Sequence, residues 1–238
     1  VQRQRLIGLD ILRSLALVSM VIYHFVYDLD LFGLIARNTS VTGPFWWHAR
    51  LTAGSFIFLA GLSLWLTHGQ GIRWTAFWRR FVRIAAAAAL VTLGTAIALP
   101  QMTVFYGILH SIALSSLLAL AVLRLPALAT LAVAAAAFAL PLVFRHPMFD
   151  GGLVWTGLGT VPPITADFLP LFPWIAPMLA GVAVGRLISR CRLWPRLDWR
   201  ATPLTRTLAW PSRHSLLIYL VHQPILIGGF NLWFWLRA

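Results

Sequence analysis

The chain has 238 residues, 60% of them hydrophobic and only 11% charged, with a formal net charge of +13 and one cysteine. That balance is too apolar for a soluble domain of this size and fits a polytopic membrane protein. A lone thiol excludes an internal disulfide and a thiolate metal cluster. All nineteen basic residues are arginine, and they cluster between apolar segments, so the positive-inside rule accounts for them better than nucleic-acid binding does.

The first apolar segment, 6–28, is long enough to cross a bilayer yet holds Asp10, Arg13 and His24 and ends on Asp28. Ionisable groups in a spanning helix cost roughly 2.5–3.5 kcal/mol each on insertion scales, so they point to function and to an inward face. Arg13 and His24 are eleven residues apart, which puts them on one face and about 16 Å apart along the axis. Asp10 with Arg13 at i,i+3, and His24 with Asp28 at i,i+4, are pairs that can meet on that face. No small-residue cleavage site follows, so the segment is expected to be retained as a span.

Further segments follow at about 47–68, 81–99, 104–123, 125–145, 169–189 and 213–236. The expectation is an all-α bundle of about seven spans, near 20 residues each, forming a single domain over 1–238. Arginines fall on alternate connections. Arg3 and Arg5, then Arg73, Arg79, Arg80 and Arg83, then Arg124, then the group from Arg186 to Arg213 share one side, against Arg37, Arg50, Arg145 and Arg237 on the other. That places the N-terminus in the cytoplasm and the C-terminus outside. Trp- and Phe-rich ends such as 45–47, 74–78 and 233–235 read as interfacial belts. Gly54, Gly61, Gly181 and Gly185 allow close helix contact. Segment 194–211 reads as a basic, Trp-rich loop lying along the anionic inner leaflet.

Several polar groups are expected to converge. The fourth segment offers Tyr106 and His110 at i,i+4. Depth counting brings His110 level with His24 near the outer surface, at 1.5 Å per residue. Asp167 lies at the outer mouth of the sixth segment, and His222, Gln223 and Pro224 interrupt the seventh. His48, His68, His146 and His214 sit near segment ends. No histidine pair has a tight i,i+4 ligand spacing, so no metal is expected.

The stretch RLIGLDILRSLALVSMVIYHF resembles the opening helix of membrane-bound acyltransferases of the acyltransferase-3 family, in which ten residues separate an Arg from a His. The stretches ARLTAGSFIFLAGLSLWL (49–66), YGILHSIALSSLLAL (106–120), ADFLPLFPWIAPMLAGVAVGR (166–186) and SRHSLLIYLVHQPIL (212–226) resemble, in the same order, bacterial relatives of heparan-alpha-glucosaminide N-acetyltransferase. The resemblance implies acyl transfer, acetyl above all, from cytoplasmic acyl-CoA to an acceptor, often a sugar or glycan, at the outer face of a bacterial inner membrane. Carried over by position, Arg13 and His24 match the acyltransferase-3 pair. In the lysosomal enzyme the position of His24 looks like an asparagine, and His48 is the nearest counterpart of that enzyme's loop histidine.

The residues suit such chemistry. A hydroxyl or amine acceptor needs a base, or a nucleophile must carry the acyl group, and imidazole does either at neutral pH. His24 is the expected base or acyl carrier, Asp28 its orienting carboxylate, and Arg13 the group that steadies the donor's thioester. His110, Tyr106, Asp167, His222 and Gln223 are expected to face the acceptor. Arg13, Arg79, Arg80 and Arg83 are expected to bind acyl-CoA. The expected partners are thus the bilayer, acyl-CoA and a small acceptor, and a homo-oligomer is compatible with them. The competing expectation is a proton-coupled transporter, since buried His, Arg and Asp on several helices also mark proton relays.

Overall fold

In the computed structural model, residues 6–237 are described, so Arg3 and Arg5 of the charge pattern lie outside them. The described residues form eight α-helices: α1 Ile7–Leu31, α2 Gly43–His68, α3 Trp74–Ala98, α4 Ile108–Val122, α5 Ala127–Val143, α6 Leu171–Arg190, α7 Pro203–Arg213 and α8 Ser215–Trp235. Backbone polar groups in a span must be satisfied within the segment, and helices do that. Five of these helices, α1, α2, α3, α6 and α8, are long and apolar enough to cross a membrane, while α4 and α5 are shorter apolar helices. The protein is therefore a multi-pass, all-helical membrane protein.

Seven helices fall where apolar segments were expected, with two informative differences. The fourth helix begins at Ile108, several residues later than the hydropathy suggests, because 103–106 leaves helical geometry and lies beside 166–169, with one isolated parallel bridge between Tyr106 and Phe168. Ala166 N donates to Met102 O at 3.0 Å and Leu169 N to Tyr106 O at 3.1 Å. The expected loop 194–211 holds α7. Pro203 starts it in the first turn, and Thr202 and Thr205 cap it reciprocally: Thr205 N donates to Thr202 Oγ1, and Thr202 N to Thr205 Oγ1. A threonine at both positions satisfies two otherwise orphaned donors.

The chain forms two compact units. One gathers the described residues up to Phe56 with those from Leu193 onward; the other is Ile57–Arg192. In the first, α1 packs against α7 and α8. Ala209 of α7 is fully buried, and Ser212 N donates to Ser14 Oγ at 3.1 Å. On α1, Leu15, Val18, Ile22 and Phe25 are exposed, whereas Leu9, Asp10, Ser14, Leu17, Met20 and Asp28 are buried. At 100° per residue Arg13 and His24 fall at the centre of the buried arc, as the spacing predicts. In the second unit, α6 packs on α5 and α4, and α4 on α3. There Arg186 donates to Leu123 O at 2.7 Å and stacks its guanidinium 4.6 Å from the Trp65 ring.

Candidate active site

The polar groups gather into two clusters, one within each unit. In the first unit α1 presents Asp10, Arg13, Ser19, Tyr23, His24 and Asp28. Arg13 Nη1 donates to Asp10 Oδ1 at 2.7 Å, the expected i,i+3 pair. Buried Leu17 and Met20 occupy the same arc between Arg13 and His24, so apolar side chains fill the stretch between the two ionisable groups.

His24 is placed differently from the carboxylate-oriented imidazole that the spacing suggests. Its Nδ1 lies 3.0 Å from Met20 O. A carbonyl only accepts, so Nδ1 carries the hydrogen and neutral His24 has a bare Nε2. His222 of α8 repeats the arrangement, with Nδ1 2.6 Å from Tyr219 O. The two rings meet edge to face at 4.7 Å between centroids. Asp28 is bound by Gln223 instead of His24: Gln223 Nε2 donates to Asp28 Oδ1 at 2.7 Å. That bond fixes the amide orientation, because an ionised carboxylate offers no donor.

What is left over is chemically one-sided. Asp28 Oδ2, His222 Nε2 and Gln223 Oε1 are buried with no hydrogen-bond partner. All three are acceptors, and the neutral His24 ring beside His222 carries a further acceptor nitrogen at Nε2. Buried acceptors without partners cost about 1–3 kcal/mol each, so this cluster is built to receive donors from a ligand or water. The expected break in the last span is absent as well, since α8 continues through Pro224. Pro224 deprives Leu220 O of its usual i+4 donor. His222 binds Tyr219 O, the neighbouring carbonyl, so its role is not repair of that break.

The flank of α1 facing the first turns of α2 carries a second imidazole. Ser19 Oγ is 2.7 Å from His48 Nε2 and 2.7 Å from Thr52 Oγ1. Tyr23 stands edge-on to both His24 and His48, at 5.4 and 6.1 Å between centroids. Sequence reading missed Ser19 and Thr52. A lone serine and a lone threonine in apolar helices carry no periodic signal, and only the packing of α1 on α2 brings them to a histidine.

In the second unit Tyr106, His110 and Asp167 do come together. Asp167 Oδ2 accepts from Ile108 N at 3.0 Å and so caps α4 from a distant loop. His110 Nδ1 accepts from Gly107 N at 3.3 Å. The other nitrogen then carries the hydrogen and donates to Thr92 Oγ1 at 3.3 Å, so both ring nitrogens serve the fold. The Tyr106 ring stacks on His110 at 5.8 Å, and its hydroxyl is buried without a partner. Nearby, Asp150 closes the loop 146–168 by accepting from Thr160 N, Thr160 Oγ1 and Val161 N. The Thr160 hydroxyl foremost holds its carboxyl below the usual range. Arg79, Arg80 and Arg83 occupy the first turns of α3, with Arg83 Nε on Arg79 O at 3.1 Å and Arg80 lining a small cavity with Phe77, Phe81 and Ser116.

Burial pushes the Asp167 carboxyl from 3.8 up to about 6, against the Ile108 N–H bond, which favours the anion. A raised carboxyl favours the protonated fold. The stability it supplies is full below about pH 4 and lost as the pH climbs through 6. The wild type is therefore expected to unfold at a higher temperature at pH 5 than at pH 7.5. Asp167→Asn should flatten that difference by about 1–2 kcal/mol, read from paired melting curves.

A family model for the heparan-alpha-glucosaminide N-acetyltransferase catalytic region matches residues 5–224. The chain belongs to that family. Membership implies acyltransferase activity in a membrane protein, in agreement with the apolar helices. Its match runs through both units and includes every polar residue described above. No curated protein and no solved structure gives a significant match. Among the described residues no three His, Cys, Asp or Glu side chains gather as metal ligands would.

Proposed function

We propose that the chain moves an acyl group, acetyl above all, from cytoplasmic acyl-CoA to a sugar or glycan acceptor at the outer face of a bacterial inner membrane. Residues 1–238 are read as one acyltransferase-like domain of seven spans, N-terminus cytoplasmic and C-terminus outside. The alternation of arginines and the extent of the family match support that reading. The observation that carries the function is the cluster in which Asp28 Oδ2, His222 Nε2 and Gln223 Oε1 are buried acceptors without partners beside the His24 ring. An acyl acceptor presents O–H or N–H donors, which suit such atoms.

His24 Nε2 takes the acceptor's proton as general base. Asp28 acts through Gln223, fixing the amide whose Oε1 faces the acceptor beside His222. Within the first unit Arg13, with Asp10 behind it, is assigned to the anionic donor. Within the second, Arg79, Arg80 and Arg83 are the candidate donor contacts and the buried Tyr106 hydroxyl the candidate acceptor contact, its segment held in place by Asp167 and His110.

The test uses purified protein in nanodiscs with acetyl-CoA as donor and a panel of hexosamines and hexoses as acceptors. Acceptor-dependent release of CoA thiol is the expected result. Proton-coupled solute flux in sealed liposomes lacking acyl-CoA, with no thiol released in the first assay, would establish a transporter instead.

A further inference from the structure

We propose that Ser19 is the covalent acyl carrier of this protein and His48 its proton acceptor, an inference that rests on the acyltransferase reading. Serine inside a helix ordinarily turns its hydroxyl back onto the carbonyl four residues earlier. Ser55, Ser63 and Ser189 of this chain do so, on Leu51 O, Leu59 O and Gly185 O. Ser19 does not. Its Oγ points across to α2 and meets His48 Nε2 and Thr52 Oγ1, both at 2.7 Å. A hydroxyl within hydrogen-bond reach of an imidazole is the arrangement of an activated serine nucleophile. Thr52 is buried, whereas Ser19 and His48 are each only partly covered.

Position adds a second argument. Ser19 is the central residue of α1, which runs from Ile7 to Leu31. About 18 Å of helix separates it from either end. Leu17 and Met20 fill the arc between Arg13 and His24, so a donor held at Arg13 has no open line to His24 along that arc. Ser19 lies on another side of the same helix. Tyr23 links that side of α1 to His24, its ring standing edge-on to both His24 and His48.

The step balances as follows. Ser19 Oγ attacks the thioester carbonyl carbon and passes its proton to His48 Nε2. The C–O bond forms, the C–S bond breaks and CoA leaves as thiolate, taking up a proton from water. The acceptor heteroatom then attacks the seryl ester and gives its proton to His24 Nε2, which releases it to water. The ester C–O bond to Ser19 breaks, and Ser19 Oγ regains its proton from His48.

Incubation of the full-length protein in nanodiscs with radiolabelled acetyl-CoA and no acceptor, followed by acid quenching, tests this. The expected result is one acid-stable acetyl group per chain, mapped by mass spectrometry to the peptide containing Ser19. Ser19→Ala should carry no label and lose on the order of 10³-fold or more in turnover. Ser19→Cys should take the label as a thioester, showing that the position folds and remains nucleophilic. Wild-type turnover by Ser19→Ala, or turnover by the wild type with no acetyl on Ser19, overturns the carrier while leaving the acyltransferase standing. No acetyl-CoA consumption by the wild type with any acceptor overturns both.

Discussion

His24→Ala is expected to lower acetyl-CoA-dependent turnover by about 10²–10⁴-fold, the range for loss of a positioned general base. The expectation follows from its tautomer. With Nδ1 committed to Met20 O, neutral His24 presents a bare Nε2. The alanine variant removes that lone pair from beside the buried acceptors Asp28 Oδ2, His222 Nε2 and Gln223 Oε1. The loss should fall on kcat, since the proton moves in the transition state, whereas Arg13→Ala should raise KM for acyl-CoA with a smaller change in kcat. Gln223→Ala frees Asp28 Oδ1 of its one hydrogen bond. It should weaken acceptor binding and leave the KM for acyl-CoA unchanged. Steady-state kinetics with each substrate varied in turn separates these outcomes. If His24→Ala and Arg13→Ala both turned over at the wild-type rate, the assignment of this cluster as the acyl-transfer site would be wrong.

The helices were legible because hydropathy and length are local properties. The inward placement of Arg13 and His24 was legible because eleven residues is close to three whole turns. Register along one helix is all that such spacing contains, and each failure came from a competing partner, local or distant, that spacing does not encode. An i,i+4 distance permits His24 to meet Asp28. It cannot reveal that Gln223, far along the chain, competes for the carboxylate or that Met20 O takes the imidazole hydrogen. His110 reads as a ligand-facing histidine until Gly107 N and Thr92 Oγ1 claim its two nitrogens. Segment 194–211 reads as a surface loop because its arginines and prolines lower the hydropathy. The threonine cap and the packing of Ala209 make part of it a helix. Ser19 and Thr52 were silent for the same reason, since a hydroxyl's role depends on what stands opposite.

Gly61→Val and Gly181→Val are each expected to destabilise the second unit by about 3 kcal/mol or more, beyond the usual 1–3 kcal/mol of core overpacking. A Cβ at Gly61 would run into the carbonyl oxygen of Met178, and one at Gly181 into the carbonyl oxygen of Phe58. The two collisions are reciprocal: α2 and α6 touch backbone to backbone at these residues, the close approach that small residues permit in membranes. Backbone oxygens cannot rotate aside as a side chain would, so the helices must move apart. Separation loosens Ile57, Leu64 and Met178, each fully buried, together with Leu62 and Val182. In lipid those contacts are packing energy that no hydrophobic effect replaces. Gly54, also on α2, has nothing within 4 Å of its would-be Cβ. Gly54→Ala should therefore be neutral or raise stability by up to about 1 kcal/mol through helix propensity. The double variant at 61 and 181 should fall short of the summed losses, because the first valine already opens the gap that the second would require. Thermal unfolding in nanodiscs reads all four variants. A Gly61→Val protein that melts with the wild type would show that α2 and α6 do not meet as described.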